Sequence, residues 1–256
     1  MSGEERNVSG AQSLQRAIAI LRIVAEFGER GCRSGEVAER AALHLATVDR
    51  MLRVLAQERL LERVGPERRY YIGPEIIALG AVRLSQFSIL NHLSSALDEI
   101  ARRSEDTVYL TMRVGGQSVC LARREGRYPI RAVTIDVGTR RPLGVGCGPL
   151  ALIAFLPEPE VAEILARNRD AFLPFNLTLD IVRMTIDRSR ELGFALNDGR
   201  IIPEVTAVGL PVRDAAGKVV AAVSVAAINA RLDDSRRLEV VRTIQEALRP
   251  YVPVPV

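Results

Sequence analysis

The sequence predicts an α+β chain of two domains, a helical one first and a sheet-containing one after it. Three observations carry this. Apolar residues recur at helical spacing from Leu14 to Leu55 and then give way to a single short hairpin pattern. From Thr107 the period changes to two, and paired strand patterns recur as far as Ala227 with helical stretches between them. At 256 residues the chain is long enough for two modest domains, each with its own core.

Residues 1–11, with Glu4, Glu5 and Arg6, read as a disordered polar tail. Leu14, Ala17, Ile18, Leu21, Val24 and Ala25 then form the apolar stripe of a first helix that ends at Gly28. After a link at residues 31–33, Ser34 caps a second, short helix with Val37, Ala38 and Ala41 on its inner face. A reciprocal capping acid would belong at position 37, whereas the glutamate stands at Glu36. A third helix starts near Leu45. It turns Val48, Met51, Leu52 and Leu55 inward and Thr47, Asp49, Arg50 and Arg53 outward.

Residues 60–64, a Gly65-Pro66-Glu67 turn and residues 68–72 make a hairpin with a basic tip. Three short helices followed by such a hairpin, over residues 12–75, read as a winged helix-turn-helix. Its third helix enters the major groove of double-stranded DNA, and its wing follows the adjacent backbone.

Pro74 opens a further helix running to about Phe87, and residues 76–88 are expected to be a linker helix. Its apolar positions lie on more than one side, which asks for a packing partner such as a second copy of the chain. Residues 89–256 form the second domain. A helix carrying Leu90, Leu93, Leu97 and Ile100 opens it, and strands at 107–114 and 118–123 follow as a hairpin about Gly115-Gly116. A further strand is expected at 129–137, and helices at 149–155, 159–168 and 179–192, the last closed by Gly193. Strands at 206–213 and 219–227 come next, then a helix capped by Asp233 or Asp234. The sheet should be mostly antiparallel.

Composition narrows the function. With 48% hydrophobic and 26% charged residues, the chain is not mainly disordered. No apolar run approaches the ~18 residues of a membrane-spanning helix, and residues 1–12 lack the apolar stretch of a signal peptide, so a cytoplasmic protein with no membrane partner is expected. Three scattered cysteines (Cys32, Cys120, Cys147) and two histidines (His44, His92) argue against a disulfide framework or a zinc site; neither metal nor cofactor is expected. The net charge is +4, and every basic residue but Lys218 is arginine. Residues 1–75 hold 12 Arg against 11 acids, a net of +1, so DNA binding would depend on where the arginines stand.

The segment Gly144-Val145-Gly146-Cys147-Gly148-Pro149 is entered by a strand and left by an apolar helix. Such a loop aims backbone N–H groups at a carboxylate or phosphate; it also reads as a tight turn that needs small residues. It lacks the Gly-Lys-Ser/Thr of a nucleotide-binding loop and the third glycine of a dinucleotide site. At a helix N-terminus Cys147 could be a nucleophile, but the domain offers no histidine partner. The alternatives to a regulator are thus a metabolite-processing enzyme using Cys147 or a thiol redox sensor using Cys147 or Cys120; a pocket residue is the favoured role for Cys147. Asn197, in Asn197-Asp198-Gly199-Arg200, reads equally as a ligand contact or a plain turn. Ser224, a hydroxyl within an apolar strand, faces a backbone acceptor or a ligand, with the ligand favoured.

Several stretches together resemble the IclR-type bacterial transcriptional regulators. They are Gln12-Ser13-Leu14-Gln15-Arg16-Ala17, Thr47-Val48-Asp49-Arg50-Met51-Leu52, Tyr70-Tyr71-Ile72-Gly73-Pro74, residues 142–157 and residues 211–232. The likeness runs in order from about Gln12 to Leu248. It implies a winged helix-turn-helix, a dimerising linker helix and a C-terminal GAF-like effector domain. It also implies homodimers or homotetramers on palindromic operators that respond to small organic acids. Carried over by position, Ala46, Thr47, Asp49 and Arg50 would meet bases, and Ser34, Arg53, Arg68 and Tyr70 phosphates. Gly146, Cys147, Gly148, Asn197, Val205, Ala207, Ser224 and Ala226 would line the effector pocket. Where many members have Gly-Lys at the start of the loop's helix this chain has Pro149-Leu150, and several pocket positions polar elsewhere are Ala or Val. The resemblance therefore implies a less polar pocket, suited to an acid with an aromatic or aliphatic body.

Overall fold

A computed structural model describes residues 11–86 and 89–251. The expected tail lies outside them except for Ala11, as do Phe87 and Ser88 at the end of the expected linker. The chain divides into two compact units, residues 1–88 and 89–256.

In the first unit, α1 (Gln12–Glu26), α2 (Ser34–Ala41) and α3 (Leu45–Gln57) precede a hairpin of β1 (Leu61–Val64) and β2 (Arg69–Ile72). The helical stripes predicted from sequence meet in one core, where Ile20, Val24, Val37, Val48, Leu52 and Leu61 are fully buried. Each such side chain contributes roughly 1.5–3 kcal/mol by leaving water. β2 is tied a second time, because Cys32 and Tyr70 exchange backbone hydrogen bonds of 3.1 and 2.7 Å. The start of α2 differs from expectation by one residue. Arg33 is the N-cap and Ser34 the first helical residue, so Glu36 stands at the reciprocal position and accepts the Arg33 N–H at 2.8 Å. That bond, first among its causes, holds the Glu36 carboxyl below the usual carboxylate range. α4 (Pro74–Gln86) closes the unit, so the expected boundary between residues 75 and 76 falls inside its first turn.

The second unit opens with α5 (Ile89–Ser104) and is built on six antiparallel strands. These are β3 (Thr107–Val114), β4 (Gln117–Arg124), β5 (Arg140–Pro142), β6 (Ala195–Asp198), β7 (Val205–Arg213) and β8 (Val219–Ile228), in the order β5-β4-β3-β8-β7-β6. Alternation along the strands sorts two cores. Val108, Leu110, Val208, Leu210, Val223 and Val225 pack beneath α5 and α9 (Asp234–Leu248). Tyr109, Ala207, Ala222 and Ala226 face the layer holding α6 (Cys147–Ala154), α7 (Glu158–Asn168) and α8 (Leu179–Leu192). Gly193 ends α8 in the left-handed region at φ +76°, and Asp233 caps α9 by accepting the Arg236 N–H at 2.8 Å.

Two expectations need correcting. Residues 129–137 are not a strand, because their backbone bonds to side chains instead of to a neighbouring strand. Tyr109 Oη donates to Ala132 O and accepts from Thr134 N, both at 2.9 Å, and Arg141 donates to Thr134 O at 3.0 Å. The edge position beside β4 belongs to the three residues of β5. Conversely, residues 195–198, read as part of a segment and turn, form strand β6 against β7.

Candidate functional site

On the first unit, α3 buries Val48, Met51, Leu52 and Leu55 and so turns its opposite face to solvent. Ala46, Arg50 and Arg53 are exposed there, with Thr47 and Asp49 half-buried beside them. Ser34 is half-buried in the first turn of α2. At the wing tip Arg68 is exposed, while Glu67 bonds both Arg33 and Arg69, whose guanidinium groups hold its carboxyl below the usual range. Among the described residues Arg50, Arg53 and Arg68 have no acid partner. Tyr70 is the most buried of the eight residues expected at DNA. It faces inward across from Arg63 in the hairpin, is 6% exposed, and packs its ring in the core. Tyr71, on the other face of the strand, is half-buried.

The second unit contains a cavity with about 480 Å³ of empty space, its open mouth included. Its floor is the sheet face carrying Tyr109, Thr111, Ser224, Ala226, Ala207 and Val205, and Asn197 extends it along β6. One wall is the start of α6. Gly146 stands at the N-cap with φ +89°, a backbone conformation that favours glycine, and no side chain caps the helix. The amides of Cys147 and Gly148 are among the helix's first N–H groups, which have no intrahelical acceptor, and Pro149 has no N–H to satisfy. A Cβ on Gly148 would lie 2.7 Å from Thr111 Oγ1, so only glycine lets the helix approach β3 this closely. Thr134 and Ile135, from the irregular segment, and Arg141, from β5, complete the lining with Ile201 and Ile202.

All eight effector residues expected from sequence therefore line one cavity. Family models match both units: "IclR helix-turn-helix domain" over residues 13–65 and "Bacterial transcriptional regulator IclR C-terminal" over residues 81–250. The chain belongs to the IclR family. Among curated relatives it is 26% identical over 229 residues to the HTH-type transcriptional repressor AllR of Salmonella typhi, covering 89% of this chain and 84% of that one. It is 24% identical over 242 residues to AllR of Klebsiella pneumoniae, covering 94% and 88%.

Solved IclR structures share the fold. A putative regulator from Silicibacter sp. TM1040 aligns with TM-score 0.77 at 22% identity over 95% of this chain and 98% of that one. An IclR homolog from Microbacterium hydrocarbonoxydans, complexed with 4-hydroxybenzoate, aligns with TM-score 0.66 at 20% identity over 93% and 99%. This is a DNA-binding transcriptional regulator with a C-terminal effector domain, and not an enzyme. Among the described residues no helix is long and apolar enough to cross a membrane.

The thiols of this IclR protein stand opposite to a nucleophile's requirement. Cys147 is buried and donates to Ala195 O at 3.4 Å, and burial drives its pKa far above the usual thiol value. The lowering expected from the helix N-terminus is thus overridden by desolvation. Cys120 and Cys32 are each pushed up to about 11, again mainly by burial.

Tyr109, Thr111, Thr134, Ile135, Arg141, Ile201 and Ile202 were not anticipated in the cavity. Tyr109 and Thr111 had a signal, because they alternate with Val108 and Leu110 on one strand and so share a face. Arg141 stands just ahead of the glycine loop but within an Arg-Arg pair that reads as surface charge. For Thr134 and Ile135 the sequence carries no signal.

Proposed function

We propose that this regulator reads an inverted-repeat operator as a homodimer or homotetramer, and that a small carboxylated molecule in the effector cavity sets its affinity for DNA. Residues 12–75 read the DNA, 76–88 join the two parts, and 89–256 sense the ligand. One observation carries the reading: residues from the glycine loop and from strands β6, β7 and β8, far apart in sequence, converge on one cavity beside the uncapped start of α6. Backbone amides and the positive end of the helix dipole at that point favour an anion. The Microbacterium homolog complexed with 4-hydroxybenzoate supports a small aromatic acid as one member of the class. On the DNA side Arg50, exposed and without an acid partner, is the candidate for a guanine edge, and Arg53 and Arg68 for phosphates. A second copy covers the exposed Ile77 (73%) and Leu79 (56%) of α4.

The ligand acts by binding more tightly to one arrangement of paired DNA-reading units than to another; equal affinity for both would shift nothing. A gel shift on the region upstream of the protein's own gene, with Arg50→Ala in parallel and small organic acids added, tests this. A sequence-dependent shift that Arg50→Ala weakens and an acid alters is expected. Binding that ignores sequence, or is unchanged by Arg50→Ala, would sink the DNA assignment.

A further inference from the structure

We infer that Arg141 is the charge determinant of the cavity, selecting a monocarboxylate with an uncharged, mainly apolar body. This rests on reading the cavity as the effector site and adds which residue meets the acid and which acids fit.

Arg141 is half-buried, and among the described residues it is the one charged side chain in the lining. Among the described residues it has no acid partner. Its guanidinium donates to Thr134 O at 3.0 Å and stands 5.9 Å from the Phe175 ring. Burial pulls its pKa below the usual guanidinium value. Several other arginines of the same unit are held by carboxylates, Arg113 by Glu160, Arg188 by Asp198 and Arg231 by Asp106, whereas the half-buried Arg213 donates to the carbonyls of Gly217 and Phe155 and lines no part of the cavity. A guanidinium withdrawn from water costs free energy unless an anion meets it, and its five donors are far from used by one carbonyl.

The position of the group says where the anion sits. Arg141 Nη1 lies 3.0 Å from where a Cβ of Gly146 would be, so the guanidinium overhangs the start of α6. Cation and helix amides therefore converge on one spot, which suits a carboxylate gripped by the guanidinium fork. Away from that spot the lining offers Ile135, Ile201, Ile202, Val205, Ala207 and Ala226, with neutral hydroxyls and one amide. One cation balances one charge. A second carboxylate or a phosphate dianion would have no counter-charge, and an apolar body is what the remaining wall receives.

The test measures binding of benzoate, phenylacetate and hexanoate, each beside its amide, and of succinate, to the full chain by calorimetry. Wild type, Arg141→Gln and Arg141→Lys are compared, each checked for folding by thermal unfolding. In wild type at least one acid should bind ~10-fold or more tighter than its amide, and succinate more weakly than hexanoate. Arg141→Gln should bring the acid-to-amide ratio to within about 2-fold while amide affinity holds, and Arg141→Lys should restore part of it.

Should Arg141→Gln fail to fold, Arg141→Lys decides alone, with acid affinity expected to drop and amide affinity to hold. An acid preference that survives Arg141→Gln, an unaltered Arg141→Lys, or equal loss of acid and amide overturns the role of Arg141 while leaving the cavity an effector site. No binding by any acid or amide overturns the effector-site reading, and this inference with it.

Discussion

The two units use arginine in opposite settings. On the first, Arg50, Arg53 and Arg68 stand in solvent without acid partners, where an unpaired charge costs little and attracts a polyanion at long range. In the second, Arg141 is half-buried without an acid partner among the described residues, where a missing partner costs more than in solvent. Arg231 is the control. Only 19% exposed, it is pinned by Asp106 at 2.9 Å, itself 2% exposed, and stacks 3.7 Å above the Tyr128 ring. The difference teaches that bulk charge is a poor guide: residues 1–75 carry a net of only +1, and what matters is where each cation without an acid partner stands.

The pinned cation should show the largest effect. Asp106→Ala leaves Arg231 without its main counter-charge and should destabilise the second unit by about 3 kcal/mol, the low end for breaking a buried pair. Its melting transition should fall by roughly 6–12 °C. A change of less than ~1 kcal/mol would make this pair no different from an exposed one and erase the contrast.

Next comes the base-reading candidate. Arg50→Ala should weaken binding to a cognate duplex by about 1–3 kcal/mol and leave non-specific binding nearly unchanged. Arg68→Ala sharpens the comparison from the other side: it should weaken all duplexes alike and reduce the slope of log affinity against log salt by about 1. If Arg68→Ala altered sequence preference instead, the division between base-reading helix and backbone-tracking wing would fail.

The smallest effect is expected at the thiols. Because burial raises all three, a thiolate-directed alkylating reagent at pH 8 should leave the native protein unmodified until it unfolds. Cys147→Ser should not abolish DNA binding or make it peroxide-resistant. Rapid native alkylation at Cys147 would revive thiol chemistry in the cavity.

Much of this was legible in the sequence because it follows from periodicity. The stripes of α1 to α3 each announce one buried face, and the apolar runs of β3, β7 and β8 mark strands covered on both faces. Strand β6 was missed because, unlike the equally short β1 and β2, it is not joined to its partner strand by a tight turn that marks a hairpin. Residues 129–137 imitate a strand, with Ile130, Ala132, Val133, Ile135 and Val137 spaced like one, but hydrogen bonds to Tyr109 and Arg141 occupy their backbone. The glycine loop announced a helix start with free backbone amides. Arg141 did not announce itself, since its lack of an acid partner exists only once the chain has folded.

The account's central claim is that occupancy of the cavity is felt at the DNA. The direct measurement is the Kd for a duplex selected from random sequence, at fixed salt, with and without a saturating acid that binds the wild-type chain, repeated with Arg141→Gln. The account predicts a change of about 5-fold or more in wild type, the size of a typical coupling free energy, and none in Arg141→Gln at the same acid concentration. An acid that occupies the wild-type cavity and leaves the DNA Kd unchanged would contradict it.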